Sequence, residues 1–400
     1  MLKNRGKRLD PSRILEKAVD VATFYGFRPY TEILEPLKVV TNARPVCIPV
    51  DKVRYIDTGK KQGSVMETYL RNEGIRREDP KLLYFYTQQR TKEKESSASG
   101  RFNLEIFGLN KSIGEAMIIR ACLSILEEVG HTNMSVAINS IGDRESLARF
   151  SREYSSYYKR RGLELHAQCR ENLKKSFWKM FSCRNDRCVS IREEAPQSIG
   201  YLSEASRQHF REVLEFLEVM QAPYEIDNNL MRDTDKFCET IFEIRHIIPF
   251  VDKADTPISE VLAHGGRYNY LARRIGGKKD IPAVGISISL EAASNPEKSL
   301  HRSKKKPRVY FIQLGYDAMR KSFPVLEILR KTSIPLLQSH GANQLMGQLS
   351  IAEKLAIPYT MIMGQREAVD GTVIMRNTAS RKQETIPITE LSAHLERLTW

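Results

Sequence analysis

The stretch from Pro282 to Ala293, PAVGISISLEAA, decides how the rest of the sequence is interpreted. Apolar and small residues alternate in it up to Glu291, which predicts a strand that runs toward a helix. If the strand served a nucleotide site, we would expect a cation directly after the glutamate, because phosphate groups are stabilised by fixed positive charges. Position 292 is an alanine. The pattern of such a strand is therefore present without its expected arginine.

The composition is that of a globular protein with a strong positive charge. A chain of 400 residues suggests two or three domains. The net charge of +14 and the pI near 9.4 favour polyanionic partners such as nucleic acids. No run of eighteen apolar residues occurs, and the basic start lacks the apolar core of a signal peptide. We expect a cytoplasmic protein without a membrane partner.

The six cysteines do not describe a disulfide framework, because their spacings are irregular in a long chain. Cys183 and Cys188 flank the sequence RNDR, and Cys169 lies upstream of them, which is a weak indication of zinc. Nearby histidines are few and a second close pair of cysteines is missing. The sequence therefore predicts no metal site.

The order of elements indicates a mixed fold. DPSR at 10–13 predicts the start of a helix that ends at Gly26. The segments 81–90 and 101–110 predict two antiparallel strands around a charged loop, and residues 111–129 predict an amphipathic helix. Residues 143–222 are helical and charged. The tail after the basic segment NPEKSLHRSKKKPR follows the order β-α-β-α-β-β, which is typical of a small α/β domain.

Five segments carry a resemblance to a known family. They are FYGFRPYTEILEP, the hairpin QQRTKEKESSASGRFNLEIFG, LMRDTDKFCETIFE, HGGRYNYL and the opening stretch, in this order along the chain. Together they resemble the histidyl-tRNA synthetases, which are class II aminoacyl-tRNA synthetases. The resemblance implies an α+β fold with an antiparallel sheet flanked by helices. The implied units are a core at 1–146 and 223–300, a helical insertion at 147–222, a basic linker at 301–306 and an anticodon-binding-like α/β domain at 307–400. It also implies a homodimer.

The resemblance assigns roles to individual residues. Arg90 matches the arginine that clamps the α-phosphate, and Arg232 matches a second catalytic arginine. The positions implied to face a ligand are Glu67, Arg101, Asp235, Gly266, Arg267, Tyr268 and Glu291. Alternatives remain open for some of them. Arg232 could form a structural ion pair with Asp235, and Gly265 and Gly266 could form a turn.

Several positions depart from the family pattern at the presumed site. The departures are Lys92 for a glutamate, Ile106 and Asn110 for a glutamine and a glutamate, Asp233 for a glycine, Lys236 for a tyrosine, Ser289 for a glycine, and Ala292 for the arginine of the third motif. Glu32 replaces the proline of the dimer strand. Losing one preorganised charge donor typically costs about 2.7–4 kcal/mol of transition-state stabilisation. We therefore expect no cofactor, with ATP and Mg²⁺ bound only if the site is active.

The basic residues lie in three segments that could contact phosphates without reading bases. They are Lys3, Arg5, Lys7 and Arg8, then Lys159, Arg160 and Arg161, and then Lys304, Lys305 and Lys306. The sequence thus predicts a non-catalytic paralogue that binds tRNA or another structured RNA, as a homodimer and with a regulated protein as a further potential partner. The alternative is a divergent active histidine–tRNA ligase.

Overall fold

The computed structural model describes residues 11–30, 66, 69–70, 82–89, 99–175, 177–232, 236–248, 258–291, 306–339 and 344–398. These residues form two β-sheets, and helices pack against both. None of the helices in these ranges combines the length and the apolar character that a membrane span requires.

The larger sheet has eight strands, and most neighbouring strands are antiparallel. The strands are β1 (Arg28–Pro29), β2 (Leu82–Gln89), β3 (Ser99–Phe107), β4 (Met134–Gly142), β5 (Tyr224–Ile226), β6 (Cys238–Ile248), β7 (Ile258–Arg267) and β8 (Ala283–Glu291). Their order across the sheet is β1-β2-β3-β8-β7-β6-β4-β5. Only the two edge pairs, β1 with β2 and β4 with β5, are parallel. The expected hairpin is β2–β3, which joins β8 in the centre of the sheet.

Helices α1 (Pro11–Phe24) and α2 (Ile113–Glu128) cover the central part of one face of this sheet. They bury apolar side chains against alternate residues of β3 and β8, such as Leu104, Ile106 and Ile286. Since side chains along a strand alternate between faces, the residues between these point away from α2. We call that side the far face; it carries Tyr84, Glu105, Gly285, Ser287 and His264.

A helical segment connects β4 to β5. It contains α3 (Arg144–Arg160), α4 (Ala167–Lys175), α5 (Asp186–Glu193) and α6 (Glu204–Val219), with 3₁₀ turns at Gly162–Glu164, Phe177–Ser182 and Ser198–Tyr201. Asp143 caps α3 by accepting a hydrogen bond from the Ser146 N–H at 2.8 Å. Ser203 caps α6 in the same way, by accepting from the Ser206 N–H at 3.2 Å. The first three of these helices have an aromatic core of their own around Phe150, Tyr154 and Tyr158. A single-turn helix, α7 (Leu271–Arg274), follows β7.

The C-terminal part forms the second sheet, in the order β10-β9-β11-β12-β13. Its elements are β9 (Val309–Gln313), α8 (Tyr316–Lys331), β10 (Leu336–Gln338), α9 (Leu345–Lys354), β11 (Tyr359–Met363), α10 (Gln365–Asp370), β12 (Thr372–Asn377), β13 (Gln383–Pro387), a 3₁₀ turn at Ile388–Glu390 and α11 (Leu391–Arg397). The predicted order is confirmed as far as β11. Helix α10, between β11 and β12, was not predicted, and neither was β13, whose exposed polar pattern resembles a loop.

Helix α8 joins this part to the core through both apolar and charged contacts. The ring of Phe323 packs edge-on against Phe216 of α6, with ring centres 5.6 Å apart. Glu327 accepts a hydrogen bond from the hydroxyl of Tyr25 at 2.6 Å, and Arg330 pairs with Glu128 of α2 at 2.7 Å. Such charged hydrogen bonds contribute about 1.5–3 kcal/mol each where they are partly buried.

Candidate substrate-binding face

Several residues of the predicted site lie outside the described residues. They are Glu67, Arg90 and Asp235, together with the departures Glu32, Lys92, Asp233 and Ala292. Glu291 is the last residue of β8. The structure therefore informs the roles predicted for Arg101, Arg232, Gly266, Arg267 and Tyr268.

Arg267 lies on the α2 side of the sheet, away from the far face. Its guanidinium group pairs with the carboxylate of Glu115 on α2, and neither side chain is exposed. Its Nε donates to Glu115 Oε1 at 2.7 Å, and its Nη1 donates to the carbonyl oxygen of Leu109 at 3.0 Å. The arginine of the GGRY segment thus fastens β7 to the start of α2, and the structure does not bring it together with the other predicted ligand residues.

Glu115 is also contacted by His209 of α6, whose Nε2 lies 2.8 Å from Glu115 Oε1. Burial raises the pKa of Glu115, but the charges of Arg267 and His209 outweigh it and hold that pKa at about 2. Burial lowers the pKa of His209, and the charge of Glu115 reverses this effect, so its net direction is upward. The group is therefore a charged network that links β7, α2 and α6.

The far face is filled at its centre by the carboxylate of Glu105. This group is almost fully buried, accepts a hydrogen bond from the hydroxyl of Tyr268, and lies 3.4 Å from the hydroxyl of Tyr86. Burial and the charge of Glu105 raise the pKa of Tyr268 well above its ordinary value, so the phenol stays a donor. A Cβ built on Gly285 would lie 1.9 Å from Glu105 Oε2. The space that this glycine leaves open is therefore occupied by the protein itself.

Glu105 was not predicted from the sequence, because the family pattern points to the neighbouring position. The family pattern places a ligand-contacting glutamine at Ile106, but Ile106 is fully buried in the core under α2. In a strand the two neighbours face opposite ways, so the side chain presented to the far face is that of Glu105. The alternation of Leu104 and Ile106 around it is the signal that could have identified it.

A second group on the far face is positively charged. Arg101 of β3, Arg232 before β6, and His264 of β7 are close enough to influence one another's ionisation. Burial, then the charges of Arg232 and Arg101, lower the pKa of His264 to about 3, so this imidazole is neutral. Arg232 donates to Glu243 Oε1 at 2.5 Å. The structure thus brings two predicted residues, Arg101 and Arg232, together, and engages Arg232 in an ion pair with Glu243.

Gly265 and Gly266 lie within β7, so the interpretation of these glycines as a turn is wrong. A Cβ on Gly265 would lie 2.3 Å from the carbonyl oxygen of Gly285 and 2.7 Å from the ring of Phe242. A Cβ on Gly266 would be 3.0 Å from Ile241 and Phe237. Glycine is required here because neighbouring strands and rings approach the backbone closely.

Some of the predicted RNA-contacting residues are exposed. Lys159, Arg160 and Lys306 are on the surface, whereas Arg161 pairs with Glu194 at 2.8 Å and stacks on the ring of Tyr157. Lys3, Arg5, Lys7, Arg8, Lys304 and Lys305 lie outside the described residues. A further basic surface, which was not predicted from the sequence, lies around α7 and is formed by the exposed residues Arg273, Arg274, Lys278 and Lys279. We call it the α7 surface.

One cavity of about 450 Å³ lies between α5 and β5. Its lining includes Arg192, Asp227 and Asn229, and Arg192 Nε donates to Asn229 Oδ1 at 3.0 Å. It contains none of the residues predicted to face a ligand.

The antiparallel sheet flanked by helices, with a separate C-terminal α/β unit, is the fold of a class II aminoacyl-tRNA synthetase. Apo histidyl-tRNA synthetase from S. aureus shares it with a TM-score of 0.51 and 20% identity, over 99% of this chain and 100% of that one. Residues 308–398 match the family model of the anticodon binding domain.

Sequence similarity gives the more particular assignment. The chain is 28% identical over 349 residues to the histidine–tRNA ligase of Halothermothrix orenii, and the aligned region covers 84% of this chain and 80% of that protein. It is 27% identical over 345 residues to the corresponding ligase of Halalkalibacterium halodurans, over 84% and 78% of the two chains. Over most of its length the chain is therefore similar to histidine–tRNA ligases, at 27–28% identity.

Proposed function

We propose that this chain is a non-catalytic relative of the histidine–tRNA ligases that binds tRNA or another structured RNA. The observation that carries the proposal is the carboxylate of Glu105, which fills the space over Gly285 and is held there by Tyr268. A ligand placed against the centre of the far face would have to displace this buried, hydrogen-bonded group, at a cost of several kcal/mol.

The charges of the far face also support loss of the adenylation step. Transferring an adenylyl group places negative charge on phosphorus, and arginines or metal ions aimed at the phosphates stabilise it. Here Arg232 is engaged by Glu243, the buried carboxylate of Glu105 lies on the same face of the sheet, and Ala292 follows the third-motif strand. These residues do not fit ATP and Mg²⁺ as the family's motifs would, so we propose that neither acts as a cofactor.

The RNA part of the proposal rests on three observations. Residues 308–398 match the anticodon binding domain, the similar proteins are tRNA ligases, and the net charge is +14. The α7 surface and the exposed pair Lys159 and Arg160 supply cations that can contact phosphates. We further propose a cytoplasmic homodimer, for which a regulated protein is a second partner.

The catalytic part is tested by histidine-dependent exchange of pyrophosphate into ATP with the purified full chain. A bona fide histidyl-tRNA synthetase serves as the positive control. We expect no exchange above the rate without histidine. Histidine-dependent exchange that disappears in both Arg90→Ala and Arg101→Ala would show that the far face is an active site and would overturn the proposal.

The RNA part is tested by filter binding of tRNA over a salt series. We expect the affinity to fall steeply with salt, because each phosphate contact contributes roughly 0.7–0.9 to the logarithmic slope. The double variant Lys278→Ala/Lys279→Ala should flatten the slope by about 1–2. Its matched control is Lys174→Ala/Lys179→Ala, which removes the same charge from the helical segment. An affinity that does not depend on salt contradicts RNA binding by these cations.

A second candidate is a divergent active histidine–tRNA ligase that uses ATP and Mg²⁺. Two observations favour it: the similarity to ligases covers 84% of the chain, and Arg101 and Arg232 both lie on the far face. The same exchange assay decides between the candidates, since only the second predicts histidine-dependent exchange.

A further inference from the structure

Three cysteine side chains of the helical segment meet at one point. Cys169 lies on α4, Cys183 follows the 3₁₀ turn Phe177–Ser182, and Cys188 lies on α5. Their Sγ atoms all lie within 4.8 Å of one another. A tetrahedral ion with metal–sulfur bonds of about 2.3 Å holds its sulfurs about 3.8 Å apart. A small inward movement of the three side chains therefore brings them to the geometry of a metal site.

The surrounding backbone is arranged to stabilise thiolates. The N–H of His166 is directed at Cys188 Sγ, 3.4 Å away, and the N–H of Asn185 donates to Cys183 Sγ. N–H groups directed at sulfur favour the deprotonated form that binds metals.

Arg192 also fixes the loop that carries Cys183. Its Nη1 donates to the carbonyl oxygens of Cys183, Met180 and Phe181, at distances of 3.0 to 3.2 Å. The position of Cys183 is thus determined by contacts independent of its sulfur. Preorganisation of this kind supports metal affinity, because the ligands need not be ordered when the ion binds.

Helix α5 is held to the rest of the helical segment by few apolar contacts. Helix α5 has eight residues, of which only Cys188 and Ile191 are buried. A helix this short is marginal by itself, and two buried side chains provide little apolar area to hold it. A bond from Cys188 to an ion shared with α4 would attach α5 to the rest of the segment, as structural zinc does in small domains.

We propose that Cys169, Cys183 and Cys188 bind a structural zinc ion, with His166 as the fourth ligand. The four residues follow the spacing H-x₂-C-x₁₃-C-x₄-C, and structural zinc sites commonly contain three cysteines and one histidine. His166 is assigned as the fourth ligand because its ring is exposed and its backbone N–H lies 3.4 Å from Cys188 Sγ, at the edge of the cluster. Thiolate-rich tetrahedral sites select zinc over hard cations.

The test uses the full chain, purified under reducing, anaerobic conditions. We expect about one zinc ion per chain by elemental analysis, released when an organomercurial blocks the thiols. Replacement by Co²⁺ should give thiolate-to-cobalt charge-transfer bands and the intense visible bands of a tetrahedral site. Cys183→Ala should abolish binding, and Cys122→Ala is the control, because Cys122 is a buried cysteine of α2 outside the cluster.

Because the release experiment uses the unaltered chain, it remains decisive if Cys183→Ala fails to fold. His166→Ala should weaken zinc binding roughly 10–100-fold, and an unchanged affinity overturns the assignment of the fourth ligand. A chain that takes up no zinc or cobalt, that contains a disulfide between two of the three cysteines under these conditions, or that shows the spectrum of an iron–sulfur cluster overturns the zinc site.

Discussion

Replacing Glu115 by glutamine should strongly destabilise the junction between β7 and α2. The substitution keeps the shape of the side chain and removes its charge, which leaves the guanidinium group of Arg267 buried without a counterion. Breaking a buried ion pair in this way typically costs 3–5 kcal/mol. The lowering of the Glu115 pKa from 4.5 to about 2 corresponds to roughly 3 kcal/mol, which agrees with this range.

The appropriate assay is native-state hydrogen exchange with mass spectrometry, because it reports the opening free energy of individual segments in a protein with more than one unit. We expect peptides from α2 and β7 in Glu115→Gln to exchange at least 100-fold faster than in the unaltered chain. The control is Glu127→Gln on the same helix, whose side chain is 44% exposed and should change exchange by less than 10-fold.

If Glu115→Gln lowers the opening free energy of these segments by less than about 1 kcal/mol, the prediction is refuted, because water or another group must then compensate the charge of Arg267. The double variant Glu115→Leu/Arg267→Met provides a second check, since replacing both charges by apolar groups should recover most of the loss. The pH dependence of stability is a third check. The contribution of the ionised Glu115 to the free energy of unfolding is complete above about pH 4.5 and is lost as the pH falls toward 2.

Three further predictions concern other contacts. His209→Asn should remove the decline in the free energy of unfolding that begins as the pH rises above about 6.5. The raised pKa of His209 gives stability that is complete below pH 6.5 and lost as the pH passes the folded pKa, and urea titrations at a series of pH values measure it. Gly265→Ala should lower the free energy of unfolding by about 3 kcal/mol, because the added Cβ meets a carbonyl oxygen at 2.3 Å. Gly347→Ala in α9 should raise it by up to about 1 kcal/mol, because a Cβ there has no neighbour within 4 Å. Thermal unfolding distinguishes the two directions. Glu327→Gln should lower the free energy of unfolding by about 2 kcal/mol and make α8 more sensitive to limited proteolysis, because Glu327 accepts hydrogen bonds from Tyr25 and Arg330. An unchanged rate of proteolysis would contradict this.

The elements that the sequence predicted well are those with a strong apolar period. Helices α1 and α2 and the hairpin β2–β3 each bury one regular stripe or one alternating set, so the local pattern and the final packing agree. Strand β7 was missed because its end, AHGGR, has two glycines that are typical of a turn. Their actual cause is the close approach of β6 and β8, which depends on the assembled sheet.

The site could be predicted less completely, because its chemistry depends on which face of the sheet each side chain occupies and on which distant residue it pairs with. Arg267 matches a motif, but the partner that determines its role is Glu115, which lies 152 positions away and on another element. The three clustered cysteines are similar: two of them are five positions apart, yet the third comes from α4, and only the fold brings its sulfur within 4.8 Å. A local pattern contains no information on such distances.

The residues that match the family's motifs divide into two physical groups, and the two groups carry different weight for function. Arg267 and Gly265 are required by the sheet, since one neutralises a buried carboxylate and the other admits a neighbouring strand. They would be needed whether or not the protein catalyses anything, so their presence is not evidence of activity. A claim of activity has to rest on groups that can reach a ligand. Among the described residues, those are Arg101 and Arg232 on the far face, where Glu243 and the buried Glu105 add opposing negative charge. This is why the exchange assay uses arginines of the predicted site, and why a variant of Arg267 would report folding instead of catalysis.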